Sequence, residues 1–170
     1  MTYSYTILET ERLILQEMQW DLLPDLTKLL ANPVVHRHFP KALNAKEAQV
    51  FMAGVLRRQQ EDGFSFWAVF TKSDSTFIGI CGLLTQMIDG IKEVEVGYRF
   101  DNTVWGNGYG PEAAAGCVGY AKDTLKLPSV ISLIREVNRQ SIRVAEKNGF
   151  TLEKETIFAG LPHRVYRKRF

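Results

Sequence analysis

The sequence predicts an α/β protein built on one mixed, mostly antiparallel sheet with helices on both faces. Three observations carry that prediction. Two segments of helical period come first, three strand-like runs joined by very short turns follow, and an alternation of helix, strand, helix and strand closes the chain. A length of 170 residues at 45% hydrophobic composition suits a single domain with a full core, spanning residues 1–170.

Taken in order, ERLILQEM (11–18) is rich in branched apolar side chains and predicts the first strand. Leu22, Leu23, Leu26, Leu29 and Leu30 recur at spacings of three and four, so Asp21 to Ala31 predicts a helix, stopped by Asn32-Pro33. A second helix is predicted from about Ala45 to Glu61, with Asn44 as N-cap and Gly63 beyond its end. FSFWAVFTK (64–72), TFIGICGLLT (76–85) and KEVEVGYRF (92–100) are separated by SDS and IDG, and read as an antiparallel meander. Pro111 to Lys126 sets Ala114, Val118, Ala121 and Leu125 on one helix face, Val130 to Val137 is an apolar run, and Arg139 to Lys147 is a short helix. Asn148-Gly149-Phe150 suits a helix end with a left-handed glycine. A strand–helix–strand unit requires a crossover, hence some parallel pairing. The last strands are predicted at Phe150 to Phe158 and Arg164 to Arg169, about a turn at Gly160-Leu161-Pro162.

Composition narrows the function. Lys plus Arg number 21 against 19 Asp plus Glu, and the net charge of +2 gives no field that argues for nucleic acid or an anionic membrane. MTYSYTILETERLIL lacks a basic-then-apolar signal pattern, and no apolar run approaches the ~18 residues of a membrane span, so a soluble, cytoplasmic protein is expected. Cys81 and Cys117 sit in apolar segments and read as reduced core residues; no Cys/His spacing suggests a metal. His36 and His38, flanking Arg37 in VVHRHFP, read as a surface loop in preference to an acceptor pocket. Trp67 and Trp105 read as core. HRVYRKRF at the C-terminus is explained as well by an edge strand protected by charge as by contact with nucleic acid.

The stretch VWGNGYGPEAAAGCVGYA (104–121) carries the first chemical signal. GNGYG lacks the Lys-Ser/Thr of a P-loop, and its third glycine arrives one residue early for a dinucleotide fingerprint. Successive small residues before a helix expose backbone N–H groups to the positive end of the helix dipole, which favours an anion. A plain strand-to-helix turn is the other reading, and it needs one glycine rather than three.

REVNRQSIRVAEKNGF (135–150) supplies the second signal. Together with WGNGYGPEA it resembles the GNAT superfamily of acyl-CoA-dependent N-acetyltransferases, and within it the branch of the RimJ/RimL ribosomal-protein N-terminal acetyltransferases. TERLILQ (10–16) and EVGY (95–98) match that branch's opening strand and central strand, so the likeness spans nearly the whole chain. The resemblance implies an acetyl-CoA cosubstrate lying in a wedge between two splayed parallel strands. Carried over, Gly106, Asn107, Gly108, Tyr109 and Gly110 bind the pyrophosphate, the backbone near Phe100 pairs with the pantetheine arm, and Asn138 faces the cofactor; a helix N-cap explains Asn138 as well. Gln16 and Pro111 depart from the branch, which has arginine and threonine there. Proline at the first helical turn removes two phosphate donors, so weaker cofactor binding is implied.

Acetyl transfer to an amine asks for a base and for stabilisation of the leaving thiolate. KEVEVGYRF puts Glu93, Glu95, Gly97 and Arg99 on one strand face and Val94, Val96, Tyr98 and Phe100 on the other. Glu95 is the candidate base, acting through a water, with an ion pair to Arg99 as the competing reading. Glu93 reads as solvated. Many GNAT members protonate the thiolate with a tyrosine where this chain has Ala145; the RimJ/RimL branch carries a serine that aligns with Ser141, the second catalytic candidate. The acceptor is then a primary amine, either a protein N-terminal α-amine or a small molecule, and the protein is expected to be a monomer or homodimer. A non-catalytic acyl-CoA-binding module is the alternative.

Overall fold

The computed structural model describes residues 5–170. The reading that the chain opens without a signal pattern rests partly on residues 1–4, which lie outside them. Eight strands form one sheet: β1 (Thr6–Glu9), β2 (Leu13–Glu17), β3 (Phe66–Thr71), β4 (Phe77–Ile88), β5 (Ile91–Phe100), β6 (Ser129–Ile134), β7 (Thr151–Phe158) and β8 (Leu161–Arg169). Their order is β1-β2-β3-β4-β5-β6-β8-β7, and every neighbouring pair is antiparallel except β5 and β6. Four helices complete the mixed α/β architecture: α1 (Leu23–Ala31), α2 (Ala45–Asp62), α3 (Tyr109–Asp123) and α4 (Arg139–Lys147). Among the described residues no helix is long and apolar enough to cross a membrane.

The helices divide between the two faces. Leu26, Leu29 and Leu30 of α1 and Ala48, Met52 and Val55 of α2 bury against Ala68, Ile80 and Leu84. On the opposite face Ala114, Cys117, Val118 and Ala121 of α3 pack with Leu15, Trp67, Leu83 and Val96. Gly116 brings α3 onto the β1–β2 hairpin, since a side chain there would start 2.9 Å from Leu8 Cδ1. Cys81 and Cys117 are buried free thiols with Sγ atoms 3.6 Å apart, joining β4 to α3 as core residues.

The caps follow the sequence closely. Asn44 accepts from the Glu47 N–H at 2.8 Å while its own N–H donates to Glu47 Oε1 at 3.1 Å, a reciprocal capping box. At the end of α4, Phe150 N–H donates to Ala145 O and Gly149 N–H to Glu146 O, each at 3.0 Å, with Gly149 at φ +83°. That arrangement closes the orphan carbonyls and buries Phe150.

Several readings need correction. β1 was not expected: TILE offers two half-buried apolar residues between two exposed polar ones, and it gains its place by pairing with β2. β6 stops at Ile134, leaving Val137 exposed. The last turn is tighter than expected, because Ala159 (φ +50°) and Gly160 (φ +74°) make it themselves and β8 begins at Leu161. β8 is not an edge strand; it lies between β6 and β7. Its arginines are committed to carboxylates, Arg164 to Glu136, Arg169 to Glu153, and Arg167 to both Glu153 and Glu93. Glu93 is therefore not a solvated charge: it takes both terminal nitrogens of Arg167, at 2.7 and 3.0 Å.

Replacing Asn44 with Ala removes one half of the capping box and should lower stability by about 1 kcal/mol. Urea denaturation checks this, and an unchanged midpoint would show that α2 is held by packing alone.

Candidate functional site

The site begins where the sheet stops being continuous. β5 and β6 pair at Glu95 and Ile131, Ser132 Oγ then reaches Val96 O at 3.5 Å, and beyond that point the strands part. A cavity of about 640 Å³ fills the opening and runs through the sheet from one face to the other. Val96, Tyr98 and Phe100 line one wall and Ser132, Leu133 and Ile134 the other. Glu95 and Tyr98, set on opposite strand faces by the alternation of β5, both reach the same cavity because the gap passes between the faces.

One mouth is formed by the glycine loop. Gly106, Gly108, Tyr109 and Gly110 line it, with Gly106 at φ +85° and Gly108 at φ +80°. Gly108 is the N-cap of α3 in a left-handed conformation, and no side chain caps the helix there. Backbone donors at the positive end of a fifteen-residue helix therefore face the cavity. Asn107 stands apart from the lining: its Nδ2 donates to Val104 O at 2.8 Å and its carbonyl accepts from Arg12 Nη1 at 2.9 Å. Arg12 also donates from Nε to Glu112 Oε1 at 2.7 Å, and Thr10 Oγ1 donates to Glu112 Oε2 at 2.5 Å. These contacts tie the β1–β2 hairpin to the first turn of α3 and hold the loop. Pro111 lies in that turn, and its carbonyl accepts from Asn148 Nδ2 at 3.3 Å.

Asn138, Ser141 and Ala145 of the α4 segment line the cavity as well. Asn138 Oδ1 accepts from Ser141 N–H at 3.2 Å, so the capping role is realised while Nδ2 is left over. Tyr98, which the sequence reading treated only as part of a strand motif, lines the cavity too. Its hydroxyl is buried without a hydrogen-bond partner, beside Ser141, and burial raises its pKa.

The second mouth opens toward α2, the α1–α2 connection and the β7–β8 turn. Phe39, Phe51, Arg58, Glu95 and Phe158 line it. Desolvation pushes the Glu95 carboxyl up to about 7, although Gln86 Nε2 donates to it at 3.0 Å and Arg58 and Arg99 favour its charge from farther off. It makes no ion pair with Arg99. Arg99 instead donates from Nη1 to His36 Nε2 at 2.9 Å and lies 4.1 Å over the Phe39 ring and 5.1 Å from that of Phe51. His36 must then carry its proton on Nδ1, which meets Asn32 O at 2.9 Å, and burial lowers its pKa. The VVHRHFP segment is only partly a surface loop: Val34, Arg37, Phe39 and Pro40 are exposed, but His36 is buried, and Arg37, His38 and Phe39 line the cavity.

A sheet parted between parallel strands, with main-chain donors at one mouth and a desolvated carboxyl at the other, is an arrangement suited to acyl transfer. The comparisons with known proteins agree, since the Acetyltransferase (GNAT) domain family matches residues 12–151. The chain belongs to the GNAT acetyltransferase family. It is 32% identical over 165 residues to the uncharacterized protein YkkB of Bacillus subtilis, covering 96% of each chain. An acetyltransferase from Agrobacterium tumefaciens superposes with a TM-score of 0.84 at 26% identity, over 100% of this chain and 98% of that one. RimL, a ribosomal α-N-protein acetyltransferase in complex with coenzyme A, shares the fold with a TM-score of 0.78 at 17% identity, over 96% and 97% of the two chains.

The raised Glu95 has a thermodynamic signature. The unfolded chain releases this proton near 4.5, whereas the folded protein holds it to about 7. Between those values the folded state binds more protons, so Glu95 makes stability fall as pH rises through that window. Urea midpoints of Glu95→Gln should lose this component, and identical pH profiles for the two proteins would show that Glu95 titrates normally.

Proposed function

We propose that the chain works as a single N-acetyltransferase domain that moves an acetyl group from acetyl-CoA directly to a primary amine. One observation carries the reading: a single cavity joins the uncapped start of α3 to Glu95 through the parted sheet. The residues at the first mouth fit a CoA thioester. Main-chain N–H groups of Gly106 to Gly110 suit a pyrophosphate, and Asn107 contributes through its backbone because its side chain is engaged. Pro111 has no N–H to add. Strand β5 leaves the Tyr98 backbone and the Phe100 N–H toward the gap for a pantetheine arm, the Phe100 carbonyl being taken by Trp105 Nε1. RimL, which has this fold, was solved with coenzyme A.

Acetyl-CoA supplies the activated acyl group. Glu95 takes the proton of the incoming amine as the nitrogen bonds to the acyl carbon, directly or through a water. A carboxyl held near 7 is matched to that task at neutral pH. The Tyr98 and Ser141 hydroxyls, which line the same cavity as Asn138, would donate to the sulfur as the C–S bond breaks, and Asn138 Nδ2 would help orient the thioester. The sulfur leaves with its electron pair and ends as the free thiol, while the product amide carries no charge.

Saturating acetyl-CoA should raise the melting temperature, and an acceptor panel read by free thiol should show turnover with at least one amine. Binding without turnover on any amine would leave a non-catalytic module. Glu95→Gln should lower kcat/KM by roughly 100- to 1000-fold and abolish the rise of rate through about pH 7. Ser141→Ala and Tyr98→Phe should each lower kcat roughly tenfold, the worth of one hydrogen bond to a charged group; full activity in both would remove them from the reaction.

A further inference from the structure

The second mouth has an unusual charge balance. Arg37, Arg57, Arg58 and Arg99 line the cavity and Glu95 is its one acid. Among the described residues none of these four arginines has a carboxylate within 4.0 Å, whereas Arg12, Arg164, Arg167 and Arg169 elsewhere all do. Arg99 is the most telling. It is a central-strand side chain stacked on Phe39 and Phe51, and its Nε is buried with no partner. Burial pulls its pKa down to about 10, and Glu95, which forms no ion pair with it, offsets that only in part. Arg58 spends one N–H on Thr85 O at 2.9 Å and keeps the rest for the cavity.

The cofactor is a poor candidate for that counter-ion. Arg57 and Arg58 belong to α2, which packs on the face of the sheet opposite α3 and the glycine loop, and Arg99 points to the α2 face. Arg37 is set aside, because its guanidinium lies 5.2 Å over the Trp105 ring beside that loop. A cationic acceptor such as a polyamine would place like charges together, which costs several kcal/mol per juxtaposition. An anion bridging Arg58 and Arg99 would satisfy the buried Nε and neutralise the excess charge.

We propose that the acetyl acceptor is a small primary amine carrying its own anionic group, a carboxylate or a phosphate, which Arg58 and Arg99 hold while Glu95 receives the amine. This rests on the acetyl-transfer reading above and adds a substrate class to it. The step is unchanged: amine nitrogen to acyl carbon, the amine proton to Glu95, the thiol released. The anion stays intact and serves only to position.

The test uses matched acceptors that differ in that charge: an amino acid against its amide, ethanolamine phosphate against ethanolamine, with a diamine and a short acidic peptide as further arms. The anionic member of a pair should have a kcat/KM about 10- to 100-fold higher, and the two pairs show whether the site takes carboxylate or phosphate. Arg58→Met and Arg99→Met should each shrink that ratio to within about threefold by raising acceptor KM, with KM for acetyl-CoA unchanged. Should Arg99→Met not fold, Arg58→Met and Arg99→Lys answer the same question, the lysine keeping charge but losing the fork. A preference for the neutral amine, the diamine or the peptide overturns the proposal, as does a rise in acetyl-CoA KM in place of acceptor KM. These outcomes leave acetyl transfer standing, whereas no thiol release with any amine takes both readings away.

Discussion

Two neighbouring parallel strands that stop pairing after one register position set the terms for everything else in this structure. A central sheet seldom gives up its ladder, because unpaired backbone N–H and C=O groups inside a protein are costly. Here β5 and β6 pair at Glu95 and Ile131 and then separate. Ser132 bridges the first step of the gap with its hydroxyl, and Trp105 Nε1 takes up Phe100 O at 2.9 Å at the far end. What remains is a slot through the sheet, lined from both faces.

The slot also explains the electrostatics. Glu95 occupies the last paired position, where the sheet still shields it from water but the cavity already reaches it, so its carboxyl is desolvated and accessible together. Arg58 and Arg99 are near enough to moderate that desolvation and too far to form an ion pair. A closer arginine would lock the carboxylate in its charged form. The flat packing of Arg99 between Phe39 and Phe51, with neutral His36 receiving one N–H, holds the guanidinium in place without a carboxylate.

Much of this was legible in the chain. The helix caps at Asn44 and Gly149, the meander from Phe64 to Phe100 and the parallel step that follows are local patterns, and each formed close to where its residues put it. The glycine loop and the 138–150 motif read true as to fold because their order and spacing are specific. What was not legible is long-range. Nothing local in TILE marks a strand, since its partner supplies the reason for it to form. Glu93 looked solvated because Arg167, its partner, lies 74 residues away. His36 looked like a surface residue because its burial depends on Arg99, and Tyr98 looked like packing because alternation places it opposite Glu95. A gap through the sheet is a property of two strands together, so neither strand's sequence announces it.

Thr10, Arg12 and Glu112 make a small clamp across about a hundred residues of chain. They belong to the TERLILQ and GPEA segments, which look like separate motifs on paper. In space they are a single part, a hinge pin that fixes the glycine loop to the outer hairpin of the sheet, with Arg12 also resting 4.5 Å from the Tyr109 ring. The set of the glycine loop is therefore tied to Thr10 and Arg12 at the opposite side of the sheet from the β7–β8 hairpin, although neither residue lines the cavity.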